Sequence, residues 1–336
     1  MSDRDHITII IGNGLGMAVD DMHFRLHNAI KDAKEYCDWL EEDEERIISD
    51  FVNSYNISDG EDTKSKNLFS EPDLKKIQEI VNTFNLIQNV GRGEWLTTEG
   101  KKIPELLNKF NFLIAKQLAR RSLVLNSAKG EHIVKSLIAE HKGEEFECDE
   151  VLLEKIKKFN DFMDDLCVYI KSSNRKVNVA TLNYDTILYD AFLDKEISFG
   201  KYNETFLADG FTTKGFSSKN LERRQFGFGY YMHLHGSPLF YNDGETVKKY
   251  KRNELLNSVF CPDQHGMHIV LTHSDYKVQN IRKSNLLMTY WKKFAESIKE
   301  SKTLVLFGYS GLDTHLNELI SKYISDDTSV YVVEYE

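Results

Sequence analysis

Cysteine is scarce in this chain, and what there is sits badly for a metal site or a disulfide framework. The four cysteines in 336 residues (Cys37, Cys148, Cys167 and Cys261) are widely scattered and form no C-x-x-C. That distribution argues against a zinc ribbon and fits a reducing cytosol. Long apolar runs are lacking as well. None approaches the ~18 residues that cross a bilayer, and the opening residues lack the basic-then-apolar pattern of a signal peptide. A cytoplasmic protein with no membrane partner is therefore expected. Basic charge is in deficit: 43 Lys and Arg face 53 Asp and Glu, a formal net charge of −10. Phosphates repel such a chain, so direct nucleic-acid binding is not expected. Internal repeats and low-complexity segments are missing too. What remains, 41% hydrophobic and 29% charged residues, is the make-up of a globular protein with a sizeable core. Its length suits one large domain or two ordinary ones of roughly 100–200 residues.

The run Ile7-Thr8-Ile9-Ile10-Ile11 has the length and β-branched content of a strand buried within a parallel sheet. Gly12-Asn13-Gly14-Leu15-Gly16 follows at once, and a helical pattern opens near Asp20 and Asp21, both good N-cap types. A strand that stops in glycines and feeds a helix can close backbone N–H groups on a phosphate. The glycines do not complete G-x-G-x-x-G, so a plain tight turn explains them equally well.

From Asp21 to Tyr55 the pattern reads as one long helix or a broken pair. Its tract Glu41-Glu42-Asp43-Glu44-Glu45 reads first as a solvated face and second as a docking patch for a basic partner. Residues 57–72 read as an exposed loop. A helix is expected from Pro72 through Ile77, Ile80, Val81 and Phe84, broken by Gly91-Arg92-Gly93. Ile103, Leu106, Leu107, Phe110, Leu113, Ile114 and Leu118 then repeat at three and four residues, as do Leu152, Ile156, Phe159, Met163 and Leu166. Strand character returns at Val177 to Leu182, Tyr230 to Leu234, His268 to Thr272, Thr303 to Phe307 and Ser329 to Glu334. Helical patterns fall between, notably Ile187 to Phe192, Asn285 to Ile298 and Asp313 to Ile324. The expected class is α/β: a doubly wound, mainly parallel, Rossmann-like sheet with a large inserted all-helical subdomain and no zinc ribbon. Residues 1–24 and 173–336 would form the discontinuous core, and 25–172 the helical insertion.

Ligands of doubly wound sheets sit at the carboxyl ends of strands. Three such ends read Thr181-Leu182-Asn183-Tyr184-Asp185, His233-Leu234-His235-Gly236-Ser237 and Gly308-Tyr309-Ser310-Gly311-Leu312-Asp313. Each has a plain alternative: Asn183, Asp185 and Asp313 could simply cap the next helix. His233 and His235 are expected on one strand face, but no third ligand is spaced to complete a metal site.

Taken in order, G-N-G, T-L-N-Y-D, H-L-H-G-S and G-Y-S-G-x-D resemble the sirtuin (silent-information-regulator) superfamily, most closely its divergent bacterial branch associated with phage defence. The run Ile269 to Tyr276 also resembles a segment of that branch. The likeness covers residues 6–24 and 176–336. It implies NAD as substrate: Gly12, Asn13 and Gly14 at the pyrophosphate, Gly308, Tyr309 and Ser310 near the adenosine ribose and phosphates, and Glu334 as a polar adenosine contact. Thr181, Asn183 and Asp185 would hold the nicotinamide-ribose region, and His235 would be the general base. Gly16 departs from the serine of many relatives, and the paired C-x-x-C motifs of protein-deacetylating sirtuins are absent, which favours attack by water.

That chemistry is consistent with the residues. Nicotinamide leaves from a positively charged ring, so charge builds on the ribose much as in glycoside hydrolysis, and no strong nucleophile is needed. The protein must place a water and accept a proton; histidine suits the second task, and Asn183 the first. The expectation is an NAD glycohydrolase giving nicotinamide and ADP-ribose, or a cyclic product, acting as a gated antiphage effector. The resemblance implies a homo-oligomer and a HerA-like ATPase or nuclease partner. ADP-ribose or acyl transfer to a protein, and a non-catalytic NAD or ADP-ribose sensor, are the alternatives.

Overall fold

The computed structural model describes residues 6–35, 46, 86–87, 98–127, 150–172, 176–200, 205–222, 228–251, 254–265, 268–271 and 274–334. The first strand, β1 (His6–Ile11), leads into three short helices, α1 (Gly14–Val19), α2 (Asp21–Phe24) and α3 (Leu26–Glu35). Two long helices follow, α4 (Thr98–Ser127) and α5 (Glu150–Ser172). Then come β2 (Lys176–Thr181), α6 (Ile187–Asp194), β3 (Leu207–Ala208) and the small hairpin of β4 (Phe211–Thr212) and β5 (Gly215–Phe216). The strand β6 (Gly229–His233) is followed by a second hairpin, β7 (Phe240–Asn242) and β8 (Val247–Lys249), and by α7 (Glu254–Asn257). The chain continues through α8 (Ser274–Lys283), α9 (Asn285–Glu300), β9 (Ser301–Phe307), α10 (Thr314–Tyr323) and β10 (Ser329–Val333).

Six strands form one sheet in the order β10-β9-β1-β2-β6-β3, and every pairing in it is parallel. Flanking helices complete a Rossmann-like α/β fold, as expected. The isoleucines of β1 explain its place near the centre: Ile10 and Ile11 are fully buried, and β2 and β9 cover its two edges. Its partner β2 lies some 170 residues away, with Ile7 opposite Val177 and Ile11 opposite Thr181. Between Leu26 and Ser172 every described residue is helical. Phe112 and Ala119 of α4, and Ile156, Phe159 and Met163 of α5, are buried in the same core as the sheet.

Two expectations are corrected. A short helix already opens at Gly14, directly after the glycine turn, and Asp20 closes it with extended backbone (φ −155°, ψ 106°); the start expected near Asp21 is that of α2, which follows at once. Among the described residues of the run 268–272, only Ile269 makes a β contact, an isolated antiparallel bridge to Gly236. Segment 268–271 is a buttress and no sheet strand. The patterns read between residues 36 and 97, including the acidic tract and the helix from Pro72, lie outside the described residues apart from 46, 86 and 87.

Candidate active site

Backbone bonds carry the sheet ladder one step beyond the strand ends and so gather the loops. Gly12 N–H donates to Phe307 O (2.9 Å), Gly14 N–H to Gly308 O (2.9 Å) and Gly308 N–H to Val333 O (2.8 Å). On the other side, Leu182 N–H donates to Ile11 O (2.9 Å) and Leu234 N–H to Thr181 O (3.0 Å). The first glycine turn interlocks with the last: a Cβ at Gly12 would stand 2.4 Å from Gly308 O, and one at Gly14 2.6 Å from the Gly308 Cα. These glycines permit close backbone approach. Their amides serve the neighbouring loop, which differs from the expectation that they point at phosphate.

Above these ends lies a cleft of about 800 Å³. Gly12, Asn13, Gly14, Asn183, Asp185, His235, Gly308, Tyr309, Ser310 and Glu334 all line it, as the sequence suggested. Thr181 is not among the lining residues. It stands behind them, 2% exposed, and its hydroxyl accepts the Asn183 backbone N–H at 3.1 Å. Phe24, Leu26 and Leu118 add an apolar wall from the helical part of the chain.

The two histidines separate. His233 ends β6 and turns into the core among Tyr189, Tyr231, Phe240 and Tyr290, with neither ring nitrogen hydrogen-bonded. Burial lowers its pKa to about 3, so it is neutral and structural. His235 lies beyond the strand, in the turn, so the shared strand face expected from H-x-H does not exist. Its turn is braced by the Val270 N–H donating to His235 O (2.9 Å) and by the Trp291 indole N–H donating to Leu234 O (2.8 Å). Gly236 (φ +84°) is where segment 268–271 touches: a Cβ there would stand 1.9 Å from His268 O. The close approach at this glycine is by backbone and not by ligand.

His235 Nδ1 lies 3.1 Å from Leu182 O, and Nε2 lies 3.0 Å from Asp313 Oδ2. Tyr184 stacks beside the imidazole at 5.9 Å. Asp313 also accepts the Leu316 N–H on Oδ1 (3.1 Å), capping α10, and pairs with Lys277 Nζ at 3.3 Å. Burial lowers the pKa of His235, and Lys277 adds to this, while the Asp313 hydrogen bond opposes it. Burial alone would raise Asp313; the His235 hydrogen bond and charge, with Lys277, instead hold its carboxyl well below the usual carboxylate range. Asp313 was visible in G-Y-S-G-x-D as a capping aspartate, and it does cap; its second task gave no signal. Lys277 and Tyr184 were not singled out as site residues; Lys277 lies in a helix, one residue beyond the run Ile269 to Tyr276.

Asn183 is 3% exposed, yet neither its side-chain oxygen nor its nitrogen has a hydrogen-bond partner. A buried amide left so is costly unless something else supplies partners. Asp185 accepts the Ile187 N–H on Oδ1 at 3.2 Å, so the plain capping reading holds for it in part. Burial raises its pKa to about 7. An unfolded aspartate titrates near 3.9. The folded state therefore keeps the extra proton between the two values, and stability falls through that window as pH rises and stays lower above it. Asp185→Asn keeps the acceptor for Ile187 without the charge. We expect it to stabilise the protein by on the order of 2 kcal/mol at pH 8, less than the full shift because the cleft admits water, and by nothing near pH 4. Thermal melts of both proteins across pH 4–8 check this; a gap independent of pH would contradict it.

Among the described residues no three His, Cys, Asp or Glu side chains stand together as a metal site, and no helix is long and apolar enough to cross a membrane. No curated protein matches the chain. Residues 177–335 match the family model described as a SIR2-like domain. The match runs from within β2 through β10 and so includes T-L-N-Y-D, H-L-H-G-S and G-Y-S-G-x-D; β1 and its glycine turn lie outside it, although they line the same cleft. Residues 177–335 are thus a SIR2-like domain, and that part of the chain is of the sirtuin-like superfamily.

Proposed function

We propose that the protein is an NAD glycohydrolase, converting NAD and water to nicotinamide, ADP-ribose and a proton. SIR2-like domains use NAD as substrate, and the observation that carries the finer reading is Asn183. A carboxamide with both polar atoms unpartnered, in one cleft with an imidazole, is a group built for a ligand. Nicotinamide departs with the electrons of its bond to the ribose carbon, and Asn183 holds the ribose hydroxyl or the incoming water. The oxygen of that water bonds to the ribose carbon, and its proton passes to His235. Asp185 lies by the nicotinamide-ribose end. The glycine turn, Gly308, Tyr309, Ser310 and Glu334 lie along the dinucleotide. Thr181 acts from behind through the Asn183 amide. The lack of C-x-x-C pairs favours water over an acyl-lysine as acceptor.

An NAD-depleting enzyme must be gated. An antiphage role, with a homo-oligomer and a HerA-like ATPase or nuclease partner, is the setting that the resemblance suggests for that gate, and the inserted span 25–172 is proposed to carry it. The test is chromatography of NAD incubated with the protein, alone and with the partner ATPase. Nicotinamide and ADP-ribose should appear in equal amounts, slowly for the isolated protein. Tight binding of ADP-ribose with no nicotinamide released in either case would replace the hydrolase with a sensor. Label transferred from NAD to an added protein would replace it with a transferase.

A further inference from the structure

We propose that Lys277 and Asp313 work this site together: Asp313 is a positioning residue that holds His235 out of use, and Lys277 releases it by taking up the diphosphate of the dinucleotide. The inference rests on the reading of His235 as the base. It starts from hydrogen-bond directions. Each ring nitrogen of His235 faces an oxygen that can only accept, the Leu182 carbonyl at 3.1 Å and the Asp313 carboxylate at 3.0 Å. Both contacts are satisfied together only when both nitrogens carry hydrogen. An imidazole in that condition cannot accept a proton from water or from a ribose hydroxyl.

The two acceptors are not equally movable. Leu182 O belongs to the backbone directly after β2, bonded into the sheet through its own N–H. Asp313 ends a turn whose residues Ser310, Gly311 and Leu312 are exposed, Leu312 to 80%. Nδ1–H on Leu182 therefore fixes the ring, and Nε2 is the nitrogen to be freed. Once Asp313 withdraws, burial and Lys277 both favour the neutral ring, and only the weaker Leu182 hydrogen bond still opposes them.

Lys277 supplies the reason for Asp313 to withdraw. It is the one lysine or arginine among the described residues that line the cleft, its side chain is 16% exposed, and its ammonium shares Asp313 Oδ2 with His235. A diphosphate in the cleft competes with the carboxylate for that single cation and repels the carboxylate itself. Substrate arrival and base release then become one event.

The test uses the full chain with 15N-labelled histidine at pH 7, the His235 signals being assigned by their loss in His235→Ala. Without ligand Nε2 should give a protonated-type shift; ADP-ribose should convert it to the unprotonated type. Asp313→Asn retains a side-chain oxygen for the Leu316 cap, and should show the unprotonated Nε2 with no ligand and raise kcat/KM for NAD at least three-fold. Lys277→Gln should weaken ADP-ribose binding about ten-fold, flatten its salt dependence, and leave Nε2 protonated at matched occupancy. Unchanged ring signals in Asp313→Asn, a fall in its kcat/KM, or an unaltered Kd in Lys277→Gln would each overturn the proposal. Its failure is separable from failure of the hydrolase reading: the nitrogen shifts need no turnover, and loss of cleavage in His235→Ala needs no latch.

Discussion

His235→Ala should reduce nicotinamide release by about 10²-fold or more while the protein stays folded. A general base placed within hydrogen-bond reach contributes typically about 10²–10⁴ in rate, and the nearest alternative is closed off. His233, two residues earlier, sits among tyrosine and phenylalanine rings and is absent from the residues that line the cleft. It cannot stand in. Folding should survive because the turn that carries position 235 is held by backbone groups, through Val270 N–H and through the Leu234 carbonyl bonded to Trp291. Asp313 keeps both Lys277 and the Leu316 amide after the imidazole is gone. Initial rates by chromatography, beside circular dichroism and a thermal melt, decide the matter. Full activity in a folded His235→Ala would remove histidine from the reaction altogether.

The elements of the sheet were legible because buried strands announce themselves: Ile7 to Ile11 and Val177 to Leu182 read as strands and gave the largely buried β1 and β2, and the partly buried run Thr303 to Phe307 gave β9. The run at 268 misled for the same reason in reverse. Ile269, Val270 and Leu271 are buried, and burial is what a hydrophobic pattern reports; whether the backbone joins a ladder is decided by neighbours far along the chain. The helix start read at Asp20 and Asp21 is that of α2, but the short helix before it went unread because it opens at Gly14, from an Asn13 whose side chain makes no capping bond. At the site, one-dimensional order revealed which loops belonged together and hid how they meet. Gly236 follows a histidine, which suggested room for a ligand; the room is filled by the backbone of residues 268 and 269. Asp313 lies 78 residues from His235, and a contact of that span leaves no periodicity to read.

Asn183→Ala should separate function from stability more sharply than any other change in the chain. In most buried positions an amide is replaced at a loss, because its partners are left unsatisfied. Asn183 has no such partners: its side-chain nitrogen and oxygen make no hydrogen bond, and the anchoring contact to Thr181 runs through its backbone N–H, which alanine keeps. Removing a buried, unpartnered carboxamide deletes a desolvation cost of roughly 1–3 kcal/mol, set against a small loss of packing. The melting temperature should therefore hold or rise. Turnover of NAD should nevertheless fall by about 10²-fold or more, since the group that positions water or the ribose hydroxyl is gone. His233 is the internal control for this reasoning. Its ring nitrogens are equally buried and equally unpartnered, but His233 does not line the cleft, so orphaned atoms point to a ligand only where a ligand can arrive. If Asn183→Ala lost activity and stability in step, the carboxamide would be holding the loop and not the substrate.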